Sequence, residues 1–453
     1  MHDLIIVGAG PAGLALAYYL RDLDLDIRIL EATDDIGGRA RSVDLAGAPV
    51  NTGAMFVYRG TRAEELALEL GQAMKPFHPS TYGVHYAGKT SVATTNDEVV
   101  AALPISPGSK AALLRFMDQI LAEYQANVVD GSISAQADSL ASETVADRLF
   151  GLPEDVARII ETAVRGGSVG DSSQLSAKYA LRYLGSYIAR EKNNRLYPVN
   201  GMQGLPRALA GRAGNNTKIL TQTQVTRIEP KEDCLEIHTV DSEDRREAFR
   251  ARQVAVTVPG PLVEGICSGL PQWKTSALRS AYTPSGSTLT VAADVDGLPE
   301  YAEWAFVSTV GKAFDAIINP TPGTTDDGIV RFTCYGNSAG FIPGFGEDPR
   351  LIQSWIDDFI DVAPGLRDRI LGFQAQTWRY CFAALSPQRA ENVPALRRSV
   401  GNIHFAGDYT SITAGTHGAY DEGFRVALEI REDLAGDRRS RPSTTSANQM
   451  HLS

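Results

Sequence analysis

The stretch DLIIVGAGPAGLALAYYLRD, residues 3–22, limits what this chain can fold into more than any other. Asp3–Val7 is a short apolar run of the kind buried on both faces of a parallel sheet. Gly8, Gly10 and Gly13 follow at once as G-x-G-x-x-G, with Ala12 between the last two. Leu14, Ala17, Tyr18 and Leu20 then recur at helical spacing. The pattern predicts strand, tight turn and helix. The first glycine allows the turn, the second lets a pyrophosphate reach the backbone, and the third permits close helix–strand packing. A second apolar run, DIRIL, leads into Glu31, about 20 residues past the glycines, where an acceptor for a ribose hydroxyl belongs.

The same region holds the longest apolar run, residues 4–20. It sits at the lower edge of membrane-spanning length and is broken by Gly-Ala-Gly-Pro-Ala-Gly, so no integral membrane segment is expected. The start, Met-His-Asp, lacks the basic opening of a signal peptide. The remaining composition is that of a globular protein: 453 residues, 43% hydrophobic and 21% charged, enough for two or three packed units. A net charge of −11 without a basic block argues against nucleic acid as a partner. Cys234, Cys267, Cys334 and Cys381 form no CxxC pair, so neither a thiolate metal site nor a disulfide framework is expected. A reduced, cytoplasmic setting fits best. Small molecules are the expected partners, and a homodimer is left open.

Two further stretches extend the ligand argument. EATDDIGGRARS places Gly37, Gly38 and Arg39 just after Glu31. A second glycine pair with an arginine suits a cofactor that continues past the pyrophosphate, because a guanidinium offers phosphate directional donors. Near the other end, IHFAGD reads as a strand closing on Gly407 and Asp408, and TSITAGTHGAYDEG opens a helix near Thr416. Asp408 can accept from ribityl or ribose hydroxyls. The helix start presents free N–H groups and the positive dipole end to whatever lies against Gly415, Gly418 and Ala419.

These stretches together resemble the flavin-containing amine oxidase superfamily, which includes monoamine and polyamine oxidases, protoporphyrinogen oxidases, carotenoid desaturases and fatty-acid double-bond isomerases. NTGAMF (51–56), YPVNGMQGLPRALA (197–210), TQTQVTRIE (221–229) and VAVTVP (254–259) carry the resemblance between the two ends, while 60–190 and 275–395 match only loosely. The resemblance implies an α/β fold: a Rossmann-like FAD-binding domain with a parallel sheet, and an α+β substrate part of mixed sheet and helical insert. It divides the chain into FAD-binding segments 1–60, 191–270 and 396–435 and substrate segments 61–190 and 271–395; the tail, 436–453, is polar without apolar periodicity and is expected to be disordered. It implies non-covalent FAD, held by Gly8, Gly10, Ala12, Gly13, Glu31, Gly38, Arg39, Gly53, Ala54, Met55, Val225, Trp378, Gly407, Asp408, Thr416, His417 and Ala419.

Four departures from the family pattern bear on activity. The lysine that holds a water beside the flavin in many members falls on Thr290, which supplies no cation. The family's aspartate before its Gly-Ala is Asn51, and the glutamate before the terminal Gly-Ala is His417. Covalent members carry a cysteine just upstream of the last helix, whereas no cysteine follows Cys381. His417 either caps its helix or tunes the reduced ring with a donor or a positive charge.

The middle of the chain supplies the substrate candidates. Residues 61–73 read as a helix with Thr61 as N-cap. Glu64 is either its capping-box partner or a carboxylate facing substrate. Tyr183 lies on a helical stripe with Tyr179 and Tyr187. Arg331 sits inside an apolar strand with Thr333 and Tyr335 and needs a partner, either a buried carboxylate or a substrate carbonyl or carboxylate. Glu64, Tyr183 and Arg331 are the candidate catalytic groups. Phe56, Tyr58, Arg59, Tyr335 and Tyr380 are the candidate substrate contacts, with Trp378 and Tyr380 paired at period two in one strand. No metal site is expected. The leading expectation is hydride removal from a carbon beside an amine or amide nitrogen, giving an imine or iminium open to hydrolysis or cyclisation in specialised-metabolite biosynthesis. The alternatives are a desaturase or double-bond isomerase of a lipophilic, fatty-acid-like substrate, and a flavin-binding protein without catalysis.

Overall fold

A computed structural model describes residues 1–440, apart from 130, 131, 134, 193, 324–326, 337–340 and 414. Residues 441–453, most of the expected disordered tail, lie outside the described residues, while 436–440 continue the last helix.

The glycine-rich opening folds as its sequence requires. Strand His2–Val7 runs into a turn at Gly8, and helix Pro11–Tyr19 starts after Gly10. The strand is the centre of a seven-stranded sheet in the order Thr217–Leu220, Ile27–Leu30, His2–Val7, Arg246–Val256, Leu235–Asp241, Thr223–Pro230, with Ile403–Phe405 added beside Val254–Val256. The pairs among the first four strands, and with Ile403–Phe405, are parallel; the last two ladders are antiparallel. Strands reached from such distant stretches meet where their apolar residues bury one another at the centre of the sheet. Ile5, Ile29, Val254 and Phe405 are all fully buried.

The last helix, Gly415–Ser440, packs directly on the first. A Cβ added at Gly423 would sit 2.4 Å from the carbonyl oxygen of Ala12, so only glycine permits this approach. A second seven-stranded sheet, Ile370–Trp378, Gly286–Asp294, Ile329–Gly336, Ala316–Ile318, Trp304–Thr309, Thr81–Tyr86 and Lys89–Ala93, is antiparallel except for the Trp304–Thr309 pairing with Thr81–Tyr86. Helices Asn96–Ala102, Pro107–Asn127, Glu154–Ser168 and Ala177–Ile188 cover part of it, sharing one apolar cluster. Among the described residues no helix is long and apolar enough to cross a membrane.

One local expectation is corrected. Trp378 ends its strand, and the chain leaves the sheet before Tyr380. The backbone bonds elsewhere from there: Cys381 N–H donates to Pro284, and Ala384 N–H to Tyr282. Trp378 and Tyr380 therefore do not share a face at period two.

Candidate active site

Two cavities meet at the C-terminal edge of the first sheet. The larger, of about 380 Å³, is lined by Gly8, Gly10, Ala12, Glu31, Gly38 and Val225, together with Gly407 and Tyr380. Its floor is built by the glycine turn. Gly8 has φ +106°, and a Cβ on Gly13 would lie 2.1 Å from the Gly8 oxygen. A Cβ on Gly10 would meet nothing within 4 Å, so the backbone there faces open space. The helix that begins at Pro11 has no side-chain cap, leaving its first N–H groups turned to the same space. Glu31 is fixed at the rim: its carboxylate accepts from Ala9 N–H at 2.8 Å and from Thr33 N–H and hydroxyl at 2.9 and 2.8 Å.

Pro11, Arg39, Trp378, Asp408 and Ala419 border both cavities. Arg39 and Asp408 bind each other here, with Nη2–Oδ1 at 2.9 Å and Nη1–Oδ2 at 3.2 Å, and Arg39 also donates to the Cys381 carbonyl. Ala383 N–H donates to the same carboxylate at 2.7 Å. Burial opposes the charge on Asp408, yet the Arg39 guanidinium and this N–H hold its carboxyl below the usual carboxylate range. Sequence reasoning gave Arg39 a phosphate and Asp408 a hydroxyl. The structure makes them an ion pair, each with hydrogen-bonding capacity left over.

The second cavity, of about 200 Å³, is lined mainly by Gly53, Ala54, Met55, Phe56 and Tyr58 on one loop, and by Tyr183, Thr288, Tyr335, Thr416 and His417. Its loop is pinned by three side chains. Trp378 Nε1 and the Thr288 hydroxyl donate to Thr52 O at 2.8 and 2.9 Å, and the Tyr335 hydroxyl donates to Gly53 O at 2.9 Å. Gly53 has no room for a side chain, since a Cβ would lie 2.2 Å from the Arg39 oxygen. Burial pushes the Tyr183 hydroxyl up, so it stays protonated. Burial also pushes the Cys381 thiol up to about 12, which leaves it a poor nucleophile despite its place in the wall.

His417 decides between its two readings. Its ring is buried, and no partner for Nε2 exists among the described residues. The ring lies edge-on to Tyr58, 5.2 Å between centroids, and the Arg182 guanidinium sits 4.8 Å from the same tyrosine ring. Burial, with Arg182 adding to it, pushes the imidazole down to about 3. Among the described residues its ring makes no hydrogen bond to its own helix, and burial favours the neutral form at neutral pH. What remains is a neutral ring with a nitrogen to offer. Its folded pKa lies below the ordinary 6.5, so its contribution to stability is complete above pH 6.5 and is lost as pH falls toward 3. His85, also lowered by burial, acts in the same direction. The unfolding midpoint in urea is expected to fall below pH 6.5, and His417→Gln to flatten part of that fall. An unaltered pH profile in the variant would reject the neutral-ring assignment.

Other candidates fall elsewhere. Glu64 accepts from Gly60 N–H at 2.7 Å and pairs with Arg59 at 3.3 Å, closing the start of helix Arg62–Glu69. Neither lines the cavity, so Glu64 is corrected to a helix-start group and Arg59 to its exposed partner. Arg331 is corrected to a structural clamp: it donates to Leu45 O at 3.0 Å and Ala46 O at 2.6 Å, and pairs with Asp327 at 2.8 Å. Tyr380 lines the larger cavity rather than the second. Thr290 is fully buried, its hydroxyl on Thr333, and does not reach the wall. Sequence reasoning missed Arg182, Thr288 and above all Arg389. Fully buried, Arg389 donates to six backbone carbonyls, of Ala383, Ala384, Asp408, Tyr409, Ser411 and Thr413. A lone arginine in SPQRAENV gives no sign of this.

The family model described as flavin containing amine oxidoreductase matches residues 11–431. The chain belongs to this family. Among curated proteins it is similar to polyamine oxidase 4 of Oryza sativa subsp. japonica, 21% identical over 95% of this chain and 89% of that protein. It is also similar to the probable flavin-containing monoamine oxidase A of Dictyostelium discoideum, 23% identical over 97% and 99%. The match to protoporphyrinogen oxidase 2 of Arabidopsis thaliana, 29% identical, covers 39% of this chain and only 34% of that protein. Cyclohexylamine oxidase from Brevibacterium oxydans IH-35A shares the fold at TM-score 0.73 and 22% identity, over 96% of this chain and 99% of that one. Wild-type putrescine oxidase bound to putrescine does so at TM-score 0.73 and 17% identity, over 95% and 99%.

As a family member the protein is an FAD-dependent oxidoreductase with non-covalent cofactor. The residues present fit that group. The open backbone at Gly10 and the uncapped helix suit a pyrophosphate, Glu31 a ribose, and the neighbouring aromatic cavity a flat ring.

Proposed function

We propose that the enzyme oxidises the carbon next to nitrogen in an apolar amine or amide that binds uncharged. One observation carries the reading. The second cavity is walled by aromatic rings, a neutral imidazole and a protonated tyrosine, and Asp408, its one carboxylate among the described residues, is already paired with Arg39. No unpaired carboxylate lies there among the described residues to neutralise an ammonium, and Arg182 behind Tyr58 opposes one. When bound, FAD supplies a hydride acceptor for that carbon. The residues do the rest. Trp378, Thr288 and Tyr335 hold the loop at Thr52–Gly53 so that the cavity keeps its width. Phe56 and Tyr58 exclude water and orient the carbon skeleton. Tyr183 and His417 offer a donor and an acceptor to the nitrogen. An imine or iminium product would lie beside the same neutral groups, with hydrolysis or cyclisation as its next step.

The test is anaerobic flavin reduction by a series of primary amines and their N-acyl amides. Affinity for the amines is expected to rise about tenfold per pH unit below the amine's own pKa, because only the neutral fraction binds. Amides are expected to show no such slope. Tighter amine binding at acid pH, or no bleaching by any member, would sink the proposal. A second reading, carbon–carbon oxidation or isomerisation of a lipophilic acid, is favoured by a further cavity of about 110 Å³ lined by Val99, Leu113, Phe116, Ile160 and Leu184. Steady turnover without an added electron acceptor would select the isomerase.

A further inference from the structure

Arg195 is a buried charge without a carboxylate. It begins strand Arg195–Pro198 and is 3% exposed. Its Nη2 donates to the Ser186 hydroxyl at 3.1 Å, and that hydroxyl donates in turn to Tyr183 O at 3.1 Å. The guanidinium otherwise lies against rings, 4.4 Å from the Tyr187 centroid and 5.2 Å from that of Phe77, which packs on Phe56 at 4.9 Å. Among the described residues it has no ion pair. Glu191 attracts it, but that carboxylate accepts from Asn194 Nδ2 at 2.8 Å and takes no part in the wall of the second cavity. Arg182, 4.8 Å from the Tyr58 centroid, likewise has no ion pair among the described residues. Phe56, Tyr58 and Tyr187 line the second cavity, whereas neither arginine does. Each cation therefore lies behind a ring of the wall. A charge left uncompensated in a protein interior is costly, and its field reaches far through a low-dielectric wall.

We propose that Arg195 and Arg182 set the substrate class of this cavity: the reacting nitrogen is the non-basic nitrogen of an amide, and a protonated alkylamine is rejected. The inference rests on the reaction proposed above and narrows its range of amine or amide. An aromatic pocket ordinarily attracts an ammonium, because ring faces are electron-rich. Here the Tyr58 and Tyr187 rings are already engaged by guanidinium groups, and the carboxylate of the wall, Asp408, is paired with Arg39. What remains is a positive field across an apolar space. An amide brings no net charge, and its carbonyl oxygen is the dipole end that such a field favours. The arginines act on selection without touching substrate, by penalising the wrong ligand.

The test is binding of choline and of 3,3-dimethylbutanol to the FAD-loaded enzyme, followed by flavin absorbance. The two probes share one shape and differ at a single centre, quaternary nitrogen against carbon, and neither can form an imine. The alcohol is expected to bind about tenfold tighter or more. Arg195→Met and Arg182→Met are each expected to narrow that ratio about threefold or more, while Arg195→Lys keeps the charge and the ratio. Arg182 is only half-buried, so its variant covers the case in which Arg195→Met folds poorly. Equal binding of the probes by the unaltered enzyme, or a ratio that neither methionine variant changes, would overturn the proposal. So would a ratio that Arg195→Lys narrows as much as Arg195→Met, since shape and not charge would then be at work. In the reaction itself, N-benzylacetamide at pH 7 is expected to reduce flavin about tenfold faster than benzylamine, whose nitrogen is protonated there. The reverse order would overturn the substrate class. Reduction by neither compound counts against the reaction proposed above, and the probe ratio still decides the selection by charge.

Discussion

Arg389→Met is expected to cost about 3 kcal/mol or more of stability and to release FAD on gel filtration. The side chain is fully buried and serves six carbonyls in two loops, 383–384 and 408–413, that otherwise have few partners for those oxygens. Methionine matches its apolar stem and restores none of the donors. Each abandoned carbonyl then bears its own desolvation cost, and charged donors are worth about 1.5–3 kcal/mol apiece even after compensation. The loops involved are those that set Asp408 and the start of the last helix, so the cofactor cavity loosens with them. Arg389→Lys separates charge from geometry: an ammonium has three donors and no planar fork, and should recover under half of the loss. Urea midpoints and the flavin-to-protein absorbance ratio read both effects. Wild-type values in both measurements for Arg389→Met would contradict the arrangement.

Asp408→Ala is expected to weaken FAD retention about 100-fold, equivalent to ~3 kcal/mol. The substitution leaves the Arg39 guanidinium unpaired at the junction of the two cavities and strands Ala383 N–H. Breaking one side of such a pair costs more than removing both, so Arg39→Met with Asp408→Ala should be the milder protein. Fluorescence titration of the apoprotein with FAD measures this directly. A single variant that purifies fully yellow, with unchanged affinity, would show that the pair holds itself together and not the cofactor.

What could be read from the sequence follows the range of the forces involved. The Gly8–Gly13 turn and Glu31 were legible because their constraint is local: backbone conformation, close approach and the length of one βαβ unit. The Gly407–Asp408 strand end and the small residues after it were legible for the same reason. Arg331 shows the other case. Its strand and face were readable, and so was its need for a partner, but the partner is the carbonyl pair of Leu45 and Ala46, some 285 residues away and on a hairpin. Nothing in an alternating strand names a distant backbone oxygen. Tyr380 failed because periodicity continues only while the ladder does, and the ladder stops at Trp378. Arg389 stayed invisible because a charged residue looks alike in sequence whether it faces water or a carbonyl cage.

The pairing of the first helix with the last has a consequence for how the protein is made. Strand His2–Val7 is made well before its last partners: its sheet gains Ile403–Phe405, and its helix gains the Gly423 contact, only after some four hundred further residues. Until then the opening strand, turn and helix carry an uncovered apolar face. Cofactor capture is thereby tied to synthesis of the stretch beyond residue 400: a ribosome-stalled chain lacking it has the glycine turn but neither Asp408 nor the second helix start. Added FAD is expected to protect the longer chain from proteolysis and not these truncated ones.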